Sequence, residues 1–530
     1  MYDYVIVGAG TAGCVLAHRL SADPAARVLL LEAGGPDTRP EIEIPAAFSR
    51  LFQTEVDWAY YTEPQPRLAG RALFWPRGKV LGGSSAINAM IYVRGHRADY
   101  DGWAEAGCAG WDYEGVLPYF KRSEDNARGA DAYHGVGGPL RVEDPRDPNP
   151  LSLVFVEAAV EAGLPRNADF NGAEQEGAGL YQLNQRGGRR LSAAAAFLKP
   201  VSDRKNLTVL TGAHATCVLF DGTRAVGVEY VRDGKTERAG AASEVLLCGG
   251  AINTPQLLML SGVGPAEDLR ALGLGVVADR PEVGENLQDH LITGVRYRSR
   301  VGGTLYAAES PMSVARYLAF RRGLLTSNVA EAGAFAFTRP GPTPDLQFHC
   351  APVLFAAHGL ERPTEHGFSL GPTLVRTATR GRLFLRSADP FAPPAIDPNY
   401  LADAHDLDTL VRGIELAREI VAQSAYDDVR GEELTPGPDV RTDEEVARYV
   451  RETAETLYHP VGTCRMGPDE DAVVDLDLRV RGVERLRVVD ASVMPEIVNG
   501  NTNAPVTMIA ERAADLILSG AAVAKAEAEA

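Results

Sequence analysis

Residues 3–7 read Asp-Tyr-Val-Ile-Val and break into Gly8-Ala9-Gly10-Thr11-Ala12-Gly13; a helix-like stretch, 14–20, follows, and then a second apolar run, 27–31, ending on Glu32. The order is strand, G-x-G-x-x-G, helix, strand, acid, with the acid about 20 residues beyond the last glycine. Each part has a physical task. The first glycine permits the tight turn, the second lets a pyrophosphate approach the backbone, and the third lets helix and strand pack closely. Free N–H groups at the helix start then face the phosphates. Glu32 suits a ribose 2′-hydroxyl and repels a 2′-phosphate. The motif therefore predicts NAD or FAD and does not separate them.

Working outward, composition sets bounds. A chain of 530 residues accommodates roughly two to four domains of about 150 residues. Its 45% hydrophobic and 23% charged content is that of an ordinary soluble globular protein. A net charge of −18 argues against nucleic acid and against an anionic membrane surface, since both need basic patches. The six cysteines form no C-x-x-C pair, so zinc and dithiol motifs are not expected. No signal-peptide pattern precedes the first strand, and no window is apolar enough to span a bilayer. A cytoplasmic protein, or one peripheral at the inner membrane, is expected.

Beyond the first unit, residues 34–78 are loop-rich. Residues 102–124 predict a helix interrupted near 107–110, packed through Trp103, Trp111, Val116, Leu117 and Phe120, and 151–163 predict an amphipathic helix. Strands are expected at 208–210, 215–220 and 225–230, the last two joined at Asp221-Gly222 as a hairpin, and at 244–248. A helix is expected at 254–260 with Pro255 near its first turn. Strands at 345–348, 382–385 and 486–489, helices at 404–423, 443–456 and 503–518, and a frayed tail at 524–530 complete the expectation. Alternation around the first unit favours an α/β dinucleotide domain with an insertion from the middle of the chain.

Four further segments point one way: GKVLGGSSAINAMIYVRG at 78–95, GAINTPQLLMLSGVG at 250–264, HPVGTCRMG at 459–467, and VVDAS at 488–492 with GNTNAP at 500–505. With the opening motif they resemble the glucose–methanol–choline (GMC) oxidoreductases over nearly the whole chain, most closely the branch of choline and aliphatic-alcohol dehydrogenases. The resemblance decides FAD over NAD. It implies a discontinuous Rossmann-like FAD-binding domain (1–152, 191–295 and 456–530) and an α+β substrate-binding domain with an antiparallel sheet (153–190 and 296–455). It also implies that Gly8, Gly10, Thr11, Ala12 and Gly13 hold the pyrophosphate and Glu32, with Ala33, the adenosine ribose. Val80, Gly83, Asn88, Ala89, Met90 and Ile91 would line the flavin side, and a backbone group at Ala215 would meet the adenine. Asp490 and Ala491 would close over the pyrophosphate and ribityl chain, with Thr502 also at the cofactor. His459 and Asn501 occupy the family's catalytic pair. Some relatives attach FAD through a histidine where this chain has Ile87, so noncovalent FAD is expected. Leu457, where oxygen-using relatives often carry a small β-branched residue, tilts the expectation toward a dehydrogenase.

Oxidising an alcohol removes a hydroxyl proton and a carbon-bound hydride, which flavin N5 can take. An imidazole suits the proton near neutral pH, and a carboxamide can donate to the developing alkoxide. The expected function is FAD-dependent oxidation of a primary alcohol to an aldehyde, with His459 as base and electrons passed to a quinone or other acceptor. An oxidase that makes hydrogen peroxide from O₂ and a non-redox hydroxynitrile lyase are the alternatives. His18 and the run 283–290 ending in His290 read as structural. Ser84 and Ser85 lack a nucleophile elbow, and Asp469-Glu470-Asp471 reads as a solvated loop, so no metal is expected. Phe355, His358, Tyr306, Glu309 and Glu331 are substrate-pocket candidates by neighbourhood alone.

Overall fold

The structure, a computed structural model, describes residues 1–529, with side chains through residue 521. The opening motif forms the strand Tyr2–Val7, the helix Thr11–Leu20 and the strand Val28–Leu31. These strands lie inside a seven-stranded sheet whose parallel part runs Leu207–Leu210, Val28–Leu31, Tyr2–Val7, Lys235–Leu247, Leu486–Val488. Val28–Leu31 is buried throughout, which is why it reads as an unbroken apolar run. Lys235–Leu247 bends between two neighbourhoods. Its second half lies in the parallel sheet, and its first half pairs antiparallel with Arg224–Arg232, which forms the expected hairpin with His214–Asp221. This strand is much longer than the expected 244–248. Its first four residues, Lys-Thr-Glu-Arg, are exposed and polar, and hairpin pairing rather than burial makes them a strand.

The helix expected at 254–260 starts earlier, at Gly250, which places Pro255 inside it. Proline cannot donate to the carbonyl four residues back. That carbonyl, on Ala251, instead accepts from Thr463 Oγ1 at 2.7 Å, so this contact joins two conspicuous motifs. The helical region expected at 102–124 resolves into Arg97–Glu105 and Tyr113–Ser123, broken between them at Gly107 and Gly110, both with positive φ.

A second, eight-stranded sheet is antiparallel: Arg430–Thr435, Val295–Ser299, Gly367–Leu374, Leu346–Ala351, Ala332–Ala336, Gly177–Leu180, with Leu291–Ile292 joining Gly367–Leu374 to Glu455–Thr456. The helices Pro150–Glu161 and Ala404–Ala422 pack against it. Three of its strands, GAGL, AGAFA and GFSLGPTL, carried no alternation because they are buried on nearly every residue. Their glycines answer to close approach. A Cβ on Gly333 would lie 2.0 Å from the Tyr181 hydroxyl, and one on Gly179 1.9 Å from the Asn167 carbonyl.

The helix Asn503–Glu529 takes in most of the tail expected to fray; Ala530 and the side chains from residue 522 onward lie outside the described residues. It packs along Thr11–Leu20 and Tyr113–Ser123. There the buried Glu511 carboxylate receives Arg19 at 2.7 Å and Arg122 at 2.8 Å. Among the described residues no helix is long and apolar enough to cross a membrane, and no cluster of potential metal ligands occurs. The architecture is thus an α/β domain with a parallel core joined to an α+β unit with an antiparallel sheet.

Candidate active site

One cavity runs from the opening motif to the antiparallel sheet. At its first end the helix Thr11–Leu20 starts at Gly10, and no side chain caps it. Its leading N–H groups are therefore free to meet an anion. Gly8 has φ +99, and a Cβ there would lie 2.5 Å from the Cys248 carbonyl. A Cβ on Gly83 would lie 2.7 Å from Gly10 Cα, so the two glycine-rich loops touch and close one cradle. The Glu32 carboxylate accepts from the N–H groups of Ala9 and Gly34, each at 2.8 Å. Burial pushes its pKa up to about 7. Asp490 binds the start of the Gly250–Leu260 helix through Gly250 N–H (2.8 Å) and Thr254 Oγ1 (2.6 Å), and its own turn through Ser492.

At the other end His459 is gripped at both nitrogens. Asn501 Nδ2 lies 3.3 Å from Nε2, and His290 Nδ1 lies 2.9 Å from Nδ1. The Asn501 carbonyl oxygen accepts from Gln347 Nε2 at 3.2 Å, which turns the amide N–H₂ toward His459. An N–H₂ can only donate, so His459 Nε2 carries the lone pair and Nδ1 the proton. The Nδ1–H then donates to His290. Burial holds His459 well below its ordinary pKa, reinforced by His290, His349 and Arg77, and pushes His290 down to about 3 and His349 to about 4. The cluster is neutral, and the Nε2 lone pair carries no proton and accepts from the Asn501 N–H₂.

The turn carrying His459 is braced from behind. Asp289 accepts from His459 N–H at 2.7 Å, from Thr456 Oγ1 at 2.6 Å and from the Tyr400 hydroxyl. Tyr458, just before His459, takes φ +71, and its carbonyl accepts from Arg77 at 2.5 Å.

Of the sequence-predicted residues, Gly8, Gly10, Thr11, Ala12, Glu32, Ala33, Gly83, Asn88, Ala89, Met90, Ile91, Ala215, His459, Asp490, Ala491, Asn501 and Thr502 all line this cavity. Gly13 and Val80 do not. A Cβ on Gly13 would sit 1.9 Å from the Gly8 carbonyl, which makes it a packing glycine, and Val80 is fully buried in an apolar cluster with Ile42 and Phe48. Among the pocket candidates Phe355 lines the cavity. His358 packs behind it, bonded to the Tyr458 hydroxyl at 2.7 Å. Tyr306 is 45% exposed, Glu309 pairs with Arg50, and Glu331 is buried against Asn149 and Ser152, so none of these three reaches the cavity wall. The run 283–290, read as structural, supplies two residues that touch His459 directly. Its signal was five polar residues in six positions, 285–290, a density that solvent exposure does not explain. Gln347 and Arg190 carried no signal. Arg190 is buried and, among the described residues, donates to the carbonyls of Ile42 and Ser85 and to Asn88 Oδ1.

The cavity fits an adenine dinucleotide carrying a flavin. It joins an uncapped helix start, a glycine cradle and the buried Glu32 carboxylate to a neutral imidazole–carboxamide pair. His349 Nε2 and Asn328 Oδ1, on residues that line it, have no partner among the described residues.

The sequence model described as GMC oxidoreductase matches the chain in two parts, residues 2–292 and residues 377–510. An alcohol dehydrogenase (acceptor) of Pseudomonas putida is 48% identical over 98% of this chain and 96% of its own length. The mitochondrial choline dehydrogenase of Homo sapiens is 47% identical over 97% of this chain and 89% of its own. A solved formate oxidase from Aspergillus oryzae RIB40, studied for modification of its FAD, superposes with TM-score 0.93 at 28% identity, covering 98% of each chain.

Proposed function

The chain belongs to the GMC oxidoreductase family, and from that premise we propose that it oxidises an uncharged primary alcohol to an aldehyde and passes the electrons to a quinone or another acceptor in the cytoplasm. FAD is the cofactor. When bound, it supplies the acceptor for the hydride. The observation that carries the proposal is the His459–Asn501 pair at 3.3 Å, in the same cavity as the dinucleotide cradle.

In this scheme His459 Nε2 takes the hydroxyl proton. Asn501 Nδ2, held by Gln347, stays with the same oxygen as charge develops on it. The Nδ1–H bond to His290 keeps the ring in the tautomer that offers a base toward the substrate. Burial excludes water, so each of these interactions acts at low dielectric. Gly8, Gly10, Thr11, Ala12, Gly83, Glu32 and Asp490 would hold the dinucleotide half, and Asn88 to Ile91 the flavin half. Ile87 has no nucleophile, which supports noncovalent FAD.

The wall points to an uncharged substrate. Phe48, Phe52, Val329, Ala351, Phe355 and Leu457 present apolar surface. The carboxylates of the lining are Glu32, Glu455 and Asp490. Glu32 and Asp490 belong to the dinucleotide end. Glu455 lies 3.7 Å from His358, which burial keeps neutral, with Arg71, Arg296 and Glu361 as its charged neighbours. A quaternary ammonium would meet Arg77 and Arg296 in the same wall, with Glu455 the one lining carboxylate among the described residues at this end to offset them. The test is anaerobic: mix the flavoprotein with aliphatic primary alcohols and with choline, and follow bleaching of the flavin. Bleaching by neither defeats the proposal. Peroxide formed in air without added acceptor would make the enzyme an oxidase instead.

A further inference from the structure

The helix Pro311–Phe320 is nearly bare. Of its ten residues only Tyr317 is buried. Met312 is 82% exposed, Phe320 70% and Leu318 62%. Single exposed apolar residues are ordinary on a protein surface, but this many on one short helix are not. Its buried side chain ties it down: the Tyr317 hydroxyl donates to the Gly188 carbonyl at 3.2 Å.

Its charge is as unusual as its exposure. In a chain of net charge −18, residues 310–330 contain Arg316, Arg321 and Arg322 and no acid. Arg316 and Arg322 share one partner, Asp147, and remain more than half exposed. Arg321 lies over the Tyr317 ring. The whole-chain charge argues against an anionic surface, but at physiological salt a surface feels charges within about 8 Å, and beside this bare hydrocarbon Arg316, Arg321 and Arg322 outnumber Asp147, while Glu309 and Glu43 are taken by Arg50 and Arg189. Ten residues span about 15 Å, too short to cross a bilayer and suited to lying in its interface.

The position is also specific. The helix packs against the turn Leu324–Thr326, and Leu324 and Leu325 pack with Phe48 and Val329, which line the cavity. Glu309, immediately before the helix, pairs with Arg50 of the Pro45–Leu51 turn that carries Phe48. The bare helix therefore sits at the apolar rim of the site.

We propose that Pro311–Phe320 docks this protein onto an anionic lipid surface, with Met312, Leu318 and Phe320 entering the acyl boundary and Arg316, Arg321 and Arg322 meeting the headgroups. The surface does not depend on which alcohol is oxidised. Docked this way, the rim of the cavity faces the phase in which apolar alcohols and quinones concentrate.

The test is flotation of the holoprotein with vesicles of phosphatidylcholine, with and without phosphatidylglycerol, read by flavin colour. The protein should float with the anionic vesicles and be released by salt. The variant M312S/L318S/F320S should partition on the order of a hundredfold less, with dye-linked alcohol oxidation in solution unchanged. Failure of the parent to float, or flotation of the variant at the parent level, overturns the proposal. So does a parent that is dimeric in solution and a variant that is monomeric, because the face would then belong to a second copy. Flotation and oligomeric state are read without alcohol turnover, so they stand apart from the fate of the proposed reaction.

Discussion

His459 and His290 meet through their Nδ1 atoms at 2.9 Å with ring planes 84° apart, and burial keeps both neutral. Two neutral imidazoles can share such a contact only if one donates. Asn501 fixes which one, because its N–H₂ already occupies His459 Nε2. His290 is thus a positioning residue for the base. His290→Phe should keep the flavin bound and lower kcat about 3- to 10-fold, the worth of one hydrogen bond, measured by stopped-flow flavin reduction.

His459→Ala removes the base itself. The rate of flavin reduction by alcohol should fall roughly 10²- to 10⁴-fold with the flavin spectrum intact. Reduction at the parent rate would show that another group takes the proton.

Gln347 acts one residue further out. Its Nε2 donates to Asn501 Oδ1 and to the Tyr181 hydroxyl. Gln347→Leu frees the carboxamide to flip and point its oxygen at His459. We expect kcat to fall about 10-fold with KM little changed, and Gln347→Glu to restore none of it, since a carboxylate cannot donate.

How much of this was legible in the sequence follows a physical line. The dinucleotide end was, because a pyrophosphate site is built from consecutive backbone and leaves a local signature at Gly8 to Glu32. The pair His459 and Asn501 was legible only through resemblance, since 42 residues separate two side chains that touch. Asp289, His290 and Gln347 were not legible as site residues. Each is brought to the site by the antiparallel sheet or by its junction with the parallel one, and the strands that do this are too evenly buried to show a period. The expected range 244–248 missed the polar half of Lys235–Leu247 for the complementary reason: its pairing is set by a hairpin, not by a core.

The pH dependence carries a definite sign. His459 titrates well below 6.5 in the folded protein, so it is the competent neutral base at neutrality and is lost only as pH falls beneath the ordinary histidine range. The profile of kcat/KM should stay level down through 6.5 and fall on its acid side. A limb centred above 6.5 would contradict the burial of the imidazole.

Ile87 lines the cavity and offers no nucleophile to a bound flavin. Acid or heat denaturation followed by ultrafiltration should send all the yellow colour into the filtrate. Colour retained with the protein would show a covalent bond elsewhere.

Away from the site, His134 lies 3.0 Å from Glu124 and 2.8 Å from Asp169, with Arg94 on the far side of Glu124 at 2.8 Å. Hydrogen bonds to Asp169 and Glu124 outweigh burial and raise its pKa to about 9 from 6.5. A raised pKa means that the fold holds the proton. This contribution to stability is complete below 6.5 and is lost as pH rises through about 9. The Tm should decline across that window, and His134→Gln should flatten the decline.

Thr11 and Asn503 are bonded at 2.7 Å although they are 492 positions apart, and Glu511 is held by Arg19 from the same early helix. Translation therefore delivers the phosphate cradle long before the amide and imidazole it must work with. A nascent chain, or any product cut short of His459, carries the glycine turn but neither the imidazole nor the amide. The cavity is complete only where the late segment packs back beside the earliest helix, so its two ends depend on one long-range contact.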